Sequence, residues 1–235
     1  MASDPAHSLT RERLRTPRVA AYAGIIFALL TGTSMALVQL SIPFSEPYES
    51  DWLVERPVQV SLAVALVPFA GIAFLWFMGV IRDQLGALED QFFSTLFLGS
   101  GLLFLSSLFV WAAVLGAVLA SHEAAPATWA GSGGFIFAMS MVKVIGGVII
   151  LRMAGVFMFS SGTIWLRTEA MPRWLVWFTY AVSLTLVIGG PSVRAFRLSF
   201  PIWVLVVSIL VLRVQGQLAH EDGTDSGGTY SPESD

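Results

Sequence analysis

The chain carries one apolar stretch, residues 134–166, that is too long for a core helix of a soluble domain and suits a long membrane helix. This stretch nevertheless contains two cations, Lys143 and Arg152. A cation at membrane depth is costly unless its side chain reaches the interface or a partner. Further apolar runs recur along the chain, in which 55% of the residues are hydrophobic and only 12% are charged. The sequence therefore predicts an all-α fold, a polytopic bundle of transmembrane helices.

The apolar runs predict about six spans and divide the chain into three parts. A basic N-terminal segment, residues 1–18, precedes a transmembrane helical domain, residues 19–214, and an acidic tail, residues 215–235, which we expect to be disordered. The expected spans are residues 19–41, 58–81, 92–120, 144–166, 174–190 and 198–214. The last two runs are short, so they fit either two full spans or one re-entrant hairpin.

The distribution of arginines predicts which side of the membrane each loop faces. If both termini lie on one side, that side carries eight arginines and the opposite side carries three. The eight are Arg11, Arg13, Arg15, Arg18, Arg82, Arg167, Arg173 and Arg213, and the three are Arg56, Arg194 and Arg197. By the positive-inside rule we expect cytoplasmic termini and a multi-pass protein of the bacterial cytoplasmic (inner) membrane.

Arg152 needs a partner, because every Asp and Glu lies outside the expected spans. Counting about 1.5 Å of rise per residue puts it roughly 12 Å into the span that begins at Val144, near mid-depth. Its candidate partners are Gln39 and Thr33 of the first span, backbone carbonyls, a loop carboxylate, a lipid phosphate or an anionic ligand. A structural role, a lipid or ligand site and a channel or relay role are all open.

Lys143 is typical of an interface anchor. In an uninterrupted helix it would lie on the face opposite Arg152, unless the helix bends at Gly146 and Gly147. The two cations are therefore not expected to form one site.

A charged cluster is expected at the cytoplasmic face, where two short turns carry residues of both signs. Its members are Arg82, Asp83, Glu89, Asp90, Arg167 and Arg173. We interpret them as solvated turns, with a bridge from Asp83 or Asp90 to Arg173 as a hypothesis.

Several classes of function lack their residues in this sequence. There is no cysteine, and His7, His122 and His220 are far apart, so no catalytic, cofactor-binding or metal site is predicted. The small net charge of −3 argues against a nucleic-acid partner. We therefore expect no enzyme and no cofactor. The expected partners are the lipid bilayer and, within it, an anionic lipid or a membrane protein.

Two stretches, WFMGVIRDQLGALEDQFF at residues 76–93 and RMAGVFMFSSGTIWLRTEAMPRW at residues 152–174, resemble small bacterial polytopic integral membrane proteins of unknown function. The resemblance covers about residues 76–174. It implies a similar multi-helix membrane fold and supplies no activity. Two functions are open: a non-enzymatic membrane component that binds lipid or partner proteins, and a small transporter or permease-like protein that binds an anionic small molecule at Arg152.

Overall fold

A computed structural model describes residues 5–44, 48–85, 91–169, 171–189 and 196–225. Within these ranges every regular element is a helix. In chain order they are α1 (Pro5–Ser41), α2 (Trp52–Glu55), α3 (Pro57–Leu85), α4 (Gln91–Ala124), α5 (Pro126–Trp129), α6 (Gly133–Val144), a π-helical segment (Ile145–Ile149), α7 (Ile150–Thr168), α8 (Arg173–Ile188) and α9 (Phe196–Asp225). The expected all-α fold is confirmed.

Four helices are long and apolar enough to cross a membrane, as is typical of a transmembrane protein. Their candidate spans are Val19–Ser41, Pro57–Arg82, Ser94–Ala124 and Gly133–Thr168, which agree with the first four spans expected from the sequence. The fourth has 36 residues because α6, the π segment and α7 follow one another without a break. The apolar helix α8 is shorter, with 16 residues.

The helices at the two ends of the chain extend further than the apolar runs. α1 begins at Pro5, so most of the basic N-terminal segment is continuous with the first span. α9 continues to Asp225, so residues 215–225 are helical where the sequence favoured disorder. No proline follows Pro201 within α9, and Leu, Ala, Gln and Glu in its last turns are good helix formers. Residues 226–235, the rest of the expected tail, lie outside the described ranges.

The helices pack in two groups. α1 packs against α3 and α9, while α7 packs against α4 and α8. A β-carbon added to Gly24 of α1 would come within 2.7 Å of the Phe77 ring of α3, and it would also collide with Ser208 of α9. Glycine therefore allows three helices to approach closely there.

An aromatic core joins the two groups in the middle of the bundle. Five helices contribute one phenylalanine each, and each of these side chains is at most 2% exposed. The five are Phe27, Phe74, Phe104, Phe157 and Phe200, and we call them the aromatic core. Ring centroids within it lie as close as 4.6 Å, between Phe104 and Phe200, and 4.8 Å, between Phe27 and Phe74. Such tilted and edge-to-face ring pairs are favourable, so the middle of the bundle is densely packed.

The bundle has two ends that differ in charge. The acidic end is the one at which α1 ends and α3 begins, with Glu49, Asp51 and Glu55 between them. α9 also begins there, since the Arg197 guanidinium lies 4.8 Å from the centre of the Phe44 ring. The opposite end carries Arg167, at the end of α7, and Arg173, at the start of α8.

Candidate functional site

Arg152 lies in the first turn of α7, with its side chain exposed on the flank of the bundle. Its Nε donates a hydrogen bond to the carbonyl oxygen of Val187, 3.4 Å away near the end of α8. The aromatic core lies further along α7, where Phe157 is fully buried. The sequence could not distinguish a backbone carbonyl from the other candidate partners, and the structure supplies this one.

The end of α8 is a suitable acceptor for a cation. The last carbonyl groups of an α-helix have no partner within the helix, and together they carry a partial negative charge. α8 ends at Ile188, and Val187 is in its last turn. The guanidinium therefore lies where a helix C-terminus attracts positive charge, although a 3.4 Å bond is long and weak.

Gly155 brings α8 close enough for this contact. The hydroxyl of Ser183 on α8 donates to the carbonyl of Gly155 at 2.8 Å. A β-carbon at Gly155 would lie 2.8 Å from Cγ2 of Val187 and 3.0 Å from the carbonyl oxygen of Ser183. A larger residue would therefore push α8 away from α7. About two turns further along α7, the hydroxyls of Thr163 and Tyr180 are 2.9 Å apart and join the same two helices.

The π segment lies between Lys143 and Arg152 and changes their relative orientation. A β-carbon on Gly146 would lie 2.7 Å from Nε1 of Trp111 on α4, so glycine makes room for the indole. A π turn accommodates one extra residue, which rotates the following residues by about 100° relative to a regular α-helix. The segment that contains the glycine pair is therefore π-helical and not α-helical. Lys143 lies at the acidic end, with Nζ 5.9 Å from the centre of the Tyr48 ring.

Helix lengths locate Arg152 along the bundle axis. From Arg152 to its end, α7 rises about 24 Å at roughly 1.5 Å per residue, and α8 rises by about the same amount. If Arg167 and Arg173 mark one interface of a hydrocarbon core about 30 Å thick, Arg152 lies inside the core, roughly 6 Å from the other interface. The sequence predicts a position near mid-depth by taking Lys143 as the other interface, and the helix continues past Lys143. The depth of Arg152 therefore stays a prediction.

The other two residues considered as partners of Arg152 lie elsewhere. Thr33 is exposed on α1, and Gln39 lines a cavity at the acidic end together with loop residues. α1 packs mainly against α3 and α9, whereas α7 packs against α4 and α8. The structure therefore does not gather Gln39, Thr33 and Arg152 into one site.

The charged cluster at the opposite end is described only in part. Arg82, Arg167 and Arg173 are exposed, and Asp83 is in the last turn of α3. Glu89 and Asp90 lie outside the described residues, so the bridge from Asp83 or Asp90 to Arg173 stays a hypothesis. Within the described ranges, no group of three or more His, Asp or Glu side chains could hold a metal ion.

The sequence did not predict the aromatic core or the burial of Trp52. Phenylalanine is common in all the long helices, so no one of them stands out before the helices are packed. Trp52 belongs to the short helix α2, between α1 and α3. The available signal for its burial was the adjacent apolar pair Trp52 and Leu53.

Comparison with known proteins assigns the chain to no family. The resemblance over residues 76–174 therefore stays a prediction. No family model matches the chain, and no curated protein or solved structure was found to be similar to it.

Proposed function

We propose that this chain is a non-enzymatic membrane component that binds an anionic lipid through Arg152. The observation that carries the proposal is the exposure of Arg152 on the flank of α7 and α8, away from the aromatic core. Ionisable residues that serve a transport pathway typically face the bundle interior or a water-filled cavity. An arginine on the flank instead meets the lipid that surrounds the bundle.

A lipid phosphate matches the chemistry of this position. The roughly 6 Å between Arg152 and the nearer interface is within the reach of a side chain that extends toward the headgroups. The Nε group is bonded to Val187, and the two Nη groups supply the paired donors that a phosphate accepts. The helix end orients the guanidinium, and the lipid supplies its counter-charge.

The alternative, a permease-like protein for an anionic small molecule, has less support. It needs a polar path, which would link Thr31, Gln39, Arg152, Thr179 and Ser183. The Thr179 hydroxyl accepts a hydrogen bond from Nε1 of Trp203 at 2.9 Å, and Ser183 donates to Gly155, so both hydroxyls serve helix packing. The aromatic core fills the middle of the bundle between them and α1.

The lipid proposal is tested by native mass spectrometry of the full chain released from mixed phosphatidylglycerol and phosphatidylcholine. The wild type should retain phosphatidylglycerol preferentially. Arg152→Leu should lose at least tenfold of that preference, while Arg152→Lys keeps part of it, because an ammonium still attracts phosphate without a paired fork. Arg82→Gln, which removes an exposed cation at the opposite end, is the matched control and should change little.

Three outcomes would overturn the proposal. The first is a wild type with no preference between the two lipids, and the second is an Arg152→Leu variant with the wild-type preference. The third is Arg152-dependent uptake of an organic anion into vesicles, which would favour the permease. If the wild type shows no lipid preference and a second protein is crosslinked to position 152 in membranes, Arg152 binds a partner protein instead.

We also propose that the chain crosses the bacterial cytoplasmic membrane six times, with both termini in the cytoplasm. The contact between Arg197 and Phe44 supports two separate last spans, since a re-entrant α8–α9 hairpin would not begin its second arm at the acidic end. The neighbours of α1 support an α9 antiparallel to it: Gly32 is near Pro201, and Gly24 is near Ser208. The excess of arginine at the opposite end supports its cytoplasmic position.

The natural absence of cysteine makes this topology easy to test. An impermeant maleimide applied to intact cells should label Glu123→Cys and should not label Ser231→Cys until the membrane is opened. Labelling of both positions, or of position 231 alone, would contradict six crossings with cytoplasmic termini.

A further inference from the structure

The short helix α2 lies against the end of α1 and borders an open cavity at the acidic end. Trp52 and Leu53 of α2 are each 2% exposed. Nη1 of Arg56 donates to the carbonyl of Leu40, which holds the start of α3 against the last turn of α1. The cavity has a volume of about 330 Å³, within the range of small-molecule sites.

Two buried N–H groups of the cavity lining have no hydrogen-bond partner among the described residues. They are Nε1 of Trp52 and Nε2 of Gln39. The two residues belong to different elements, α2 and the last turns of α1, and both line this cavity. Buried donors in folded proteins are nearly always paired, so two unpaired donors beside one cavity leave it open to an acceptor beyond the described residues.

The charges around the cavity favour a cationic ligand. Its lining includes three carboxylates, on Glu49, Asp51 and Glu55, and one guanidinium, on Arg56, so three negative charges and one positive charge leave a net charge of −2. All four residues are exposed, which puts the carboxylates at the mouth of the cavity, above the buried Trp52. The C-terminus of α1, at Ser41, adds partial negative charge on the same side.

We propose that this cavity binds a primary ammonium group carried on a short chain with an oxygen acceptor. The ammonium donates to the carboxylates at the mouth, and the oxygen accepts from Trp52 and Gln39 at the base. An ethanolamine phosphate has this chemistry, and it reaches the acidic end either as a lipid headgroup or as a free solute. The site does not involve Arg152 and stands or falls separately from the anionic-lipid proposal.

Methylation of the ligand provides a matched pair of probes. Phosphoethanolamine and phosphocholine carry the same charges, but the quaternary ammonium of phosphocholine has no N–H to donate to a carboxylate. Binding of each is measured by calorimetry on the full chain in a detergent without either headgroup. Retention of phosphatidylethanolamine against phosphatidylcholine is measured in parallel by native mass spectrometry.

The test has two arms, calorimetry with the solutes and mass spectrometry with the lipids. The ethanolamine form should bind at least tenfold more tightly than the choline form in one arm or both. Preference in both arms, or for the lipid alone, identifies the headgroup as the source, and preference for the solute alone identifies a free ligand. Each of these results supports the site. The proposal is overturned if neither form binds in either experiment, or if the ethanolamine and choline forms bind equally. The N–H groups of Trp52 and Gln39 would then be hydrogen-bonded to water.

Variants at the mouth and the base separate a site from general charge attraction. Glu55→Gln and Asp51→Asn should each weaken binding of the ethanolamine form about tenfold, while Glu123→Gln, an exposed carboxylate of the other loop, should have no effect. Trp52→Phe removes the N–H and keeps an aromatic ring, and it should weaken binding about threefold. Equal effects of the Glu55 and Glu123 variants would overturn the proposal, and because both residues are exposed, neither substitution threatens the fold.

Discussion

The flank around Arg152 and the cavity at the acidic end satisfy their polar groups in opposite ways. On the flank, one cation in apolar surroundings bonds to a helix carbonyl, and its side chain is exposed. In the cavity, carboxylates surround the mouth, and the buried N–H groups of Trp52 and Gln39 lack partners within the described chain. The flank is therefore complete as a structural contact and open to an anion, whereas the cavity is incomplete without an acceptor.

The flank and the cavity depend on different contacts for their stability. The flank depends on the close approach of α7 and α8 at Gly155, and the cavity depends on the folding of α2 over the end of α1. The aromatic core takes Phe27 from α1 and Phe157 from α7, so it supports one helix of each region. Substitutions can therefore damage both regions together or either one separately.

Phe74→Ala should have the largest effect and weaken both regions, because Phe74 contacts rings from all four of the other helices of the aromatic core. Loss of a fully buried phenylalanine costs about 3–5 kcal/mol. Denaturant unfolding in detergent micelles measures the loss, and lipid and ethanolamine binding should fall with it. Phe69→Ala on the same helix is the control, since Phe69 is 63% exposed and should change stability by less than about 1 kcal/mol.

Gly155→Leu should damage the flank and spare the cavity. Its side chain would collide with Val187 and with the backbone of Ser183, and overpacking of this kind costs about 1–3 kcal/mol. We expect the anionic-lipid preference to disappear and ethanolamine binding to persist. Gly79→Leu has no atom within 4 Å of its added β-carbon and serves as the control. A lipid preference that survives in Gly155→Leu would show that Arg152 does not depend on the end of α8.

Gln39→Leu should damage the cavity and spare the flank. It replaces a buried amide that lacks a partner by an apolar group of similar size, which should stabilise the ligand-free protein by about 1 kcal/mol. The same change removes a donor, so ethanolamine binding should weaken severalfold. The thermal unfolding midpoint and the dissociation constant are measured on one sample. A lower midpoint together with unchanged binding would mean that the amide is already satisfied within the protein.

Arg152→Gln should have the smallest effect on stability. The hydrogen bond it removes is long, and a cation near an exposed helix C-terminus contributes about 0.3–1 kcal/mol. Denaturant unfolding should therefore change by less than about 1 kcal/mol, while the lipid preference is lost. A loss of several kcal/mol would instead assign Arg152 a mainly structural role.

The four long spans and the isolated position of Arg152 could be read from the sequence because hydropathy and charge are local properties. A charge in an apolar run stands out, as does the lack of carboxylates within the spans. The partner of Arg152 could not be read, because it depends on where α8 ends and on how closely Gly155 lets α8 approach.

The cavity was hidden from sequence reasoning because each of its residues is ordinary when taken alone. Gln39 stood out only as a candidate partner of Arg152 in the first span. The site exists because α2 buries Trp52 over the end of α1, and that is a tertiary contact. Gly146 and Gly147 did signal an irregular helix, but the reason for it, Trp111, lies on another helix.

The most direct test of the account is a spin label at position 152, introduced as Arg152→Cys in the cysteine-free chain and reconstituted into bilayers. Labels at Phe159 and Glu55, both exposed, give the lipid-facing and water-facing references. We predict that the label at 152 collides with oxygen as the Phe159 label does and is shielded from a water-soluble nickel chelate. Free access of the chelate to position 152 would place the guanidinium in water and contradict a lipid-facing arginine.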